Sequence, residues 1–344
     1  MADDLLSTLP SLPEWHAIDR ARFEAEIVPR NEPAILRGVV AHWPAVARAR
    51  SSAQACAQYL AGYDNGTPVD ALMTPPQEDG RIFYDASMAG FNYLHNKLPL
   101  TQAMEQVLRY ANFERAPAVA VQSAPIAACL PGFTDENVQP LLDAAVAPRI
   151  WLGTAITTPA HFDESHNIAC VVAGRRRFTL VPPGQIANLY VGPLDHAPTG
   201  TPLSLVDFRR PDLERFPRFA QALAAARIAD LRPGDAIYMP PLWWHHVESL
   251  ERFNVLVNYW WMRTAPGWDA PPSALDALLQ SVASLRALAP AQREAWREVF
   301  EHYVFDTARD VDGHIPPERR GVLGPMTTAQ QRQLQAFLDA RRRR

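Results

Sequence analysis

The sequence predicts a mainly β protein of the sandwich or barrel kind with flanking helices, and three observations carry that expectation. From about Ala118 onward, short apolar runs alternate with turn residues: Ala118 to Gln122, Arg149 to Thr154, Asn167 to Ala173, Arg177 to Val181, Asp235 to Met239 and Phe253 to Trp260. Many short strands between Gly and Pro suit a sandwich or barrel, and the jelly roll is one form that protects its edges. Beyond Trp261 the strand signals stop, and large apolar residues recur at helical spacing: Leu275, Leu278, Leu279 and Val282, then Trp296, Val299, Phe300 and Tyr303, then Leu334, Phe337 and Leu338. Finally, His161-Phe162-Asp163 ends one extended segment and Trp243-Trp244-His245-His246 opens another, a pattern in which two strands could supply three ligands to one face of a metal.

The chain divides accordingly into residues 1–117, an α/β cover; 118–262, the β core; and 263–344, a helical tail. In the first part, Ile18 to Ile27 reads as a short amphipathic helix ended by Pro29, and Pro33 to Gly38 as a brief strand. Ser52 to Leu60 reads as helix, Val69 to Met73 and Ile82 to Tyr84 as strands, and Leu100 to Tyr110 as a helix with Met104, Val107 and Leu108 on one face. Within the core, helical interruptions are expected at Glu136 to Ala145 and Phe216 to Ala225. The tail's apolar stripes need a surface to bury them, either the core or a second copy of the chain, so a homodimer through these helices is expected.

With 48% hydrophobic and 20% charged residues among 344, the chain can bury a sizeable core. A net charge of −4 argues against a nucleic-acid partner, and the one basic run, Arg341 to Arg344, reads as a solvated tail. Three widely spaced cysteines, Cys56, Cys129 and Cys170, suggest neither a disulfide framework nor a zinc site, and fit a reducing compartment. Met1 to Pro13 lacks the pattern of a signal peptide, and no window is long and apolar enough for a membrane span, so a cytoplasmic protein without membrane attachment is expected.

Alone, a His-x-Asp pair means little, because such pairs usually serve packing or capping. Its setting adds weight: alternation in an extended segment sends His161 and Asp163 to one side and Phe162 to the other. Pro233-Gly234-Asp235 marks a tight turn, and Pro240-Pro241 bends the chain into Trp243-Trp244-His245-His246. Alternation allows only one of these histidines to face inward, which leaves His246 behind the site or at the surface; His166 reads as structural. In Gly174-Arg175-Arg176-Arg177-Phe178-Thr179-Leu180, Arg175 and Arg177 read as solvated. Arg176 shares a face with Phe178 and Leu180, and an arginine there needs an anion to offset its desolvation. A dicarboxylate gripped by two parallel hydrogen bonds would supply it.

These segments together resemble a known family. Thr158-Pro-Ala-His-Phe-Asp-Glu164, Gly174-x-Arg176 followed by Phe178-x-Leu180-x-Pro182-Pro183, Val206-Asp207-Phe208 through Glu214 to Pro217, Pro233-Gly234-Asp235 and Trp243 to Ser249 are similar to the cupin-like JmjC oxygenases. The nearest likeness is to the branch of the factor-inhibiting-HIF asparaginyl hydroxylase. The match is strong over residues 118–262 and looser elsewhere. It implies a double-stranded β-helix that holds Fe(II) and uses 2-oxoglutarate and O2 to hydroxylate a C–H of a protein or peptide side chain, releasing succinate and CO2. By position, His161, Asp163 and His245 would bind the metal. Thr158, Asn167, Arg176 and Asn258 would contact 2-oxoglutarate, and Trp260 would stand on the pocket wall.

The chain also departs from that pattern. Arg176 stands where a close member has lysine; the cosubstrate's tyrosine contact on the first core strand is missing; and Thr199 to Leu203 lacks the Arg-Gln pair that holds the asparaginyl hydroxylase's substrate. The oxygenase chemistry therefore transfers better than the substrate. Tyr84, Trp243 and Trp260 are expected near the cleft. The competing readings are the same chemistry on a small molecule, and a non-enzymatic cupin that binds a ligand.

Overall fold

In chain order the strands are β1 (Glu14–His16), β2 (Ala34–Arg37), β3 (Pro68–Thr74), β4 (Leu94–Pro99), β5 (Ala118–Pro125), β6 (Pro148–Gly153) and β7 (Thr157–His161). They continue as β8 (His166–Ala173), β9 (Arg176–Val181), β10 (Arg227–Leu231), β11 (Ala236–Met239), β12 (Trp244–Ser249) and β13 (Asn254–Trp261). The larger sheet has the order β1-β2-β11-β8-β13-β6-β5-β3-β4, and the smaller β10-β9-β12-β7. From β6 to β13 the chain passes back and forth between the sheets with antiparallel neighbours, which is the jelly-roll winding of a double-stranded β-helix. This computed structural model describes residues 5–264, 269 and 271–342, so part of the amino-terminal stretch and of the Arg341–Arg344 run lies outside the described residues.

Alternation sorts the strand side chains into two layers. In β8, Ala169 and Val171 face the interior of the β-helix with Phe178, Leu180, Ile237, Met239, Val247 and Leu256. Ile168, Cys170 and Val172 face the outer layer, where the helix Leu100–Tyr110 buries Leu100, Ala103, Met104 and Val107. A strand covered on both faces reads as an unbroken apolar run, which is why β8 stood out in the sequence. Each fully buried side chain of this size contributes about 1.5–3 kcal/mol before conformational entropy is subtracted. The outer face of the smaller sheet is covered by residues 182–226, whose Leu189, Val206, Phe208 and Phe219 pack on Val181 and Trp244.

Two local expectations are corrected, and one helix was not expected. Ile82 to Tyr84 is not a strand: Arg81 and Tyr84 make only isolated bridges, to Thr157 and Phe91. The helix expected over Glu136 to Ala145 is one short turn, Phe133–Glu136, and then irregular chain. Pro140 cannot continue a helix, and Asn137 turns away to serve Ala45 N, Tyr59 Oη and Phe133 O. A helix that carried no strong periodicity, Pro44–Ser51, precedes the expected one at Ala53–Ala61.

Residues 1–261 form one compact unit and 262–344 a second. The second unit contains the helices Ala274–Leu285, Pro290–Phe300 and Thr328–Arg342, the first capped by Ser273, whose hydroxyl accepts the Asp276 N–H at 3.1 Å. Among the described residues, no helix is long and apolar enough to cross a membrane.

Candidate metal centre

Alternation on β12 turns His245 and Val247 to the interior, and Trp244 and His246 to the outer layer. The choice between the two adjacent histidines falls on His245. Facing it, β7 contains a bulge: His161 lies opposite His245 and Thr158 opposite Val247, so Pro159 and Ala160 together occupy the place of one residue. The bulge brings both Thr158 and His161 to the interior although they are three apart. Asp163 lies two residues beyond the end of β7, so strict strand alternation does not place it. Its carbonyl accepts the Leu242 N–H at 2.9 Å, which ties this segment to the turn leading into β12.

One donor atom from each of His161, Asp163 and His245 lies within 4.8 Å of the others. The imidazole centroids are 4.3 Å apart, and His245 Nε2 is 3.8 Å from Asp163 Oδ2. Each ring is fixed from behind: His161 Nδ1 is 2.9 Å from the Pro159 carbonyl, and His245 Nδ1 is 2.9 Å from the Trp243 carbonyl. A proton on each Nδ1 donates to that carbonyl, leaving Nε2 as the free ligand atom. Asp163 Oδ2 accepts from Asn167 Nδ2 and Trp260 Nε1, both at 2.9 Å. Burial and the neighbouring His245 push His161 well below the usual histidine range, so the ring is neutral. Burial raises the Asp163 carboxyl, but the two histidines and the Trp260 and Asn167 donors outweigh it and hold the group below its ordinary value. A neutral His161 imidazole and an ionised Asp163 carboxylate are protonation states that suit a metal.

The pocket around these groups measures about 440 Å³. All eight residues singled out from the sequence line it: His161, Asp163 and His245, together with Thr158, Asn167, Arg176, Asn258 and Trp260. Arg176 is only 5% exposed, and its Nε has no hydrogen-bond partner among the described residues. Burial pushes its guanidinium down to about 10, so it remains a cation at neutral pH. Asn258 donates to Asn167 Oδ1 at 2.9 Å and leaves its own buried Oδ1 unpaired. A buried cation and a buried amide oxygen without protein partners are the cradle expected for an anionic, hydrogen-bonding ligand.

The remaining expectations divide: His166 is structural as expected, and others differ. Arg177 is not simply solvated: its Nε donates to Asp230 Oδ1 at 2.8 Å across β9 and β10. Arg175 pairs with Glu251. His166 lies 2.9 Å from Tyr238 Oη and stacks on Trp261, a packing role. Tyr84 and Trp243 are not among the pocket residues: the first donates to the His196 carbonyl and the second to the Asn31 carbonyl. Sequence reasoning passed over Gln122, Ser123, Arg149 and Trp151, which also line the pocket. Nothing in the spacing marks Gln122 and Ser123, because they reach it through a local irregularity in pairing, whereas Arg149 and Trp151 reach it by regular alternation on β6.

The fold and this donor set define a jelly-roll protein with a facial two-histidine, one-carboxylate site, the set used by non-haem Fe(II) oxygenases. The chain belongs to the cupin-like domain family, whose sequence profile matches residues 20–266, and within it to the JmjC type. It is 28% identical to Lysine-specific demethylase JMJ31 of Arabidopsis thaliana over 60% of this chain and 33% of that protein. It is 24% identical to Lysine-specific demethylase 8 of Xenopus tropicalis over 75% of this chain and 54% of that protein. It is 27% identical to human Bifunctional peptidase and (3S)-lysyl hydroxylase JMJD7 over 67% of this chain and 77% of that protein. The matched part is thus a third of the first of these relatives and about half of the second. The narrower likeness to the asparaginyl hydroxylase draws no support from these relatives.

Proposed function

We propose that the chain is an Fe(II)- and 2-oxoglutarate-dependent oxygenase that hydroxylates a side chain of a polypeptide. The observation that carries this reading is the meeting, in one pocket, of the His161–Asp163–His245 donors with the buried, unpaired Arg176. With iron, 2-oxoglutarate and O2 bound, the site supplies oxidative decarboxylation to succinate and CO2, coupled to insertion of an oxygen atom into a substrate C–H bond. His161, Asp163 and His245 would hold the metal, as a two-histidine, one-carboxylate set does in this class of oxygenase. Asn167 and Trp260 fix the Asp163 carboxylate, as groups behind a metal ligand generally do. Arg176 grips the far carboxylate of the cosubstrate, with Thr158 and Asn258 completing its cradle. Support for a polypeptide substrate comes from relatives named for lysine, a demethylase and a lysyl hydroxylase.

Succinate formation by the iron-loaded protein, measured with and without peptide pools, tests this reading. The expected result is iron- and 2-oxoglutarate-dependent succinate that peptides increase, and that His161→Ala abolishes. Stimulation by metabolite pools and not by peptides would transfer the substrate to the small-molecule class.

The second unit supports a further part of the reading, that two copies pair through its helices. Trp296, Val299 and Tyr303 are 44%, 42% and 52% exposed at helical spacing, and Phe305, Phe337 and Leu338 add to the uncovered apolar surface. Sedimentation at micromolar concentration gives a dimer on this account, and a monomer would refute it.

A further inference from the structure

The larger sheet departs from regular pairing beside the metal centre. β5 and β6 are in register at Val121 opposite Leu152 and again at Ala124 opposite Ile150. Gln122 and Ser123 therefore face the single residue Trp151, which is a β-bulge. Val121 and Ala124 both stay in the outer core with Ile150 and Leu152, although they are three apart where regular strand geometry needs two. The extra residue turns Gln122 and Ser123 together toward the pocket.

This bulge is held by force. Ser123 has φ +48°, in the left-handed region that is unfavourable for a residue with a Cβ. Arg149 holds it there, its Nε donating to Ser123 O at 2.9 Å and to Ser123 Oγ at 2.7 Å. Arg149 also lies opposite Asn258 in β13, and Asn258 leads through Asn167 to Asp163. The Gln122 side chain makes no hydrogen bond among the described residues, and its carboxamide is left at the pocket wall. Strain of this kind persists only where its surroundings over-determine it, and it gathers at ligand sites.

We infer that Gln122 determines specificity for a polypeptide substrate by pairing with a peptide amide, and that Arg149 is the positioning residue that keeps it in place. The inference rests on the oxygenase reading above. A carboxamide presents an acceptor and two donors in one plane, which matches the C=O and N–H of a peptide group two at a time. A hydrocarbon or a carboxylate would leave half of it unpaired, and a desolvated unpaired polar group is costly.

The probe is a degenerate library of short amidated peptides, added with 2-oxoglutarate to the iron-loaded chain while succinate is measured. The library raises wild-type succinate formation several-fold. Gln122→Ala and Arg149→Met raise the apparent KM for the library at least about tenfold and lower kcat less than about threefold, as loss of substrate binding requires. Both keep the visible absorption of the anaerobic iron–2-oxoglutarate complex, so the centre is assembled. Ser123→Gly placed in the Arg149→Met chain returns the KM to within about threefold of wild type, because glycine takes a positive φ without a clamp. An unmoved KM in Gln122→Ala overturns the inference. So does a library that fails to stimulate a wild-type protein which shows the absorption and forms succinate; both results leave the oxygenase reading standing. A wild-type protein with neither absorption nor succinate removes that reading, and this inference with it.

Discussion

The inner and outer faces of the smaller sheet treat the same residue types in opposite ways. Arg176 and Arg177 are neighbours on β9: Arg177 turns outward and pairs with Asp230, whereas Arg176 turns inward, 5% exposed, with Nε unpaired. His245 and His246 are neighbours on β12. His245 turns inward beside two other metal-donor residues, and His246 turns outward to stack on Phe208 with a ring-centroid distance of 5.0 Å. Among the described residues neither ring nitrogen of His246 makes a hydrogen bond, Glu248 Oε2 standing 3.9 Å from its Nε2, yet that costs it less. Burial, together with the nearby Arg209 and Arg81, pushes its pKa down to about 3, so it stays neutral. A buried ring can shed its charge and a guanidinium cannot at neutral pH, so an unpaired Arg176 points to a bound anion where an unpaired His246 points only to packing.

The largest effects should follow the metal ligands. His161→Ala lowers iron affinity and 2-oxoglutarate turnover by more than about a hundredfold, beyond what groups behind a ligand are worth. His246→Ala, on the other face, leaves iron binding intact and destabilises the fold by about 2–4 kcal/mol through the cavity left against Phe208. Iron titration and thermal unfolding of the two variants separate these roles. Equal loss of iron from both would break the distinction between the faces.

The arginine pair gives the next contrast. Arg176→Met raises the KM for 2-oxoglutarate roughly a hundredfold, the worth of about 3 kcal/mol in charge-assisted hydrogen bonds. It should also stabilise the ligand-free protein by about 1–3 kcal/mol, because it removes an uncompensated buried charge. Arg177→Met leaves that KM unchanged and costs about 1 kcal/mol or less. Denaturant melts with steady-state kinetics report both quantities, and a destabilised Arg176→Met would contradict the assignment.

A smaller effect concerns the groups behind Asp163. Trp260→Phe keeps the ring and deletes the N–H that meets Asp163 Oδ2, lowering iron affinity by about tenfold. The smallest lies at Gly174, whose φ of +74° and whose closeness to Asn254 leave no room for a Cβ. Gly174→Ala lowers stability by about 1 kcal/mol or more without moving the KM for 2-oxoglutarate, since the turn only joins β8 to β9.

Much of the β-helix was readable because its strands are short, covered on both faces and separated by Gly and Pro. The inward side of Arg176 followed from period-two alternation, which also admitted only one of His245 and His246, and the family resemblance picked His245. That rule failed where the chain adds a residue. His161 reaches the interior by the Pro159–Ala160 bulge and Asp163 lies past the strand end, so the pair converges for a reason other than the one alternation supplies. Gln122 and Ser123 gave no signal, because a bulge depends on the partner strand and on Arg149. Asn137 and Pro140 show the same limit in the segment expected as helix: distant contacts from Tyr59 and Ala45 decide its course.

The central claim is that the inward arginine and the three-residue donor set form one 2-oxoglutarate site. Anaerobic titration of the iron-loaded protein with 2-oxoglutarate, followed by visible absorption, tests it most directly. On this account wild type and Arg177→Met saturate over the same concentration range, Arg176→Met needs roughly a hundredfold more, and His161→Ala shows no absorption. Saturation of Arg176→Met at the wild-type concentration, or no absorption from wild type, would contradict it.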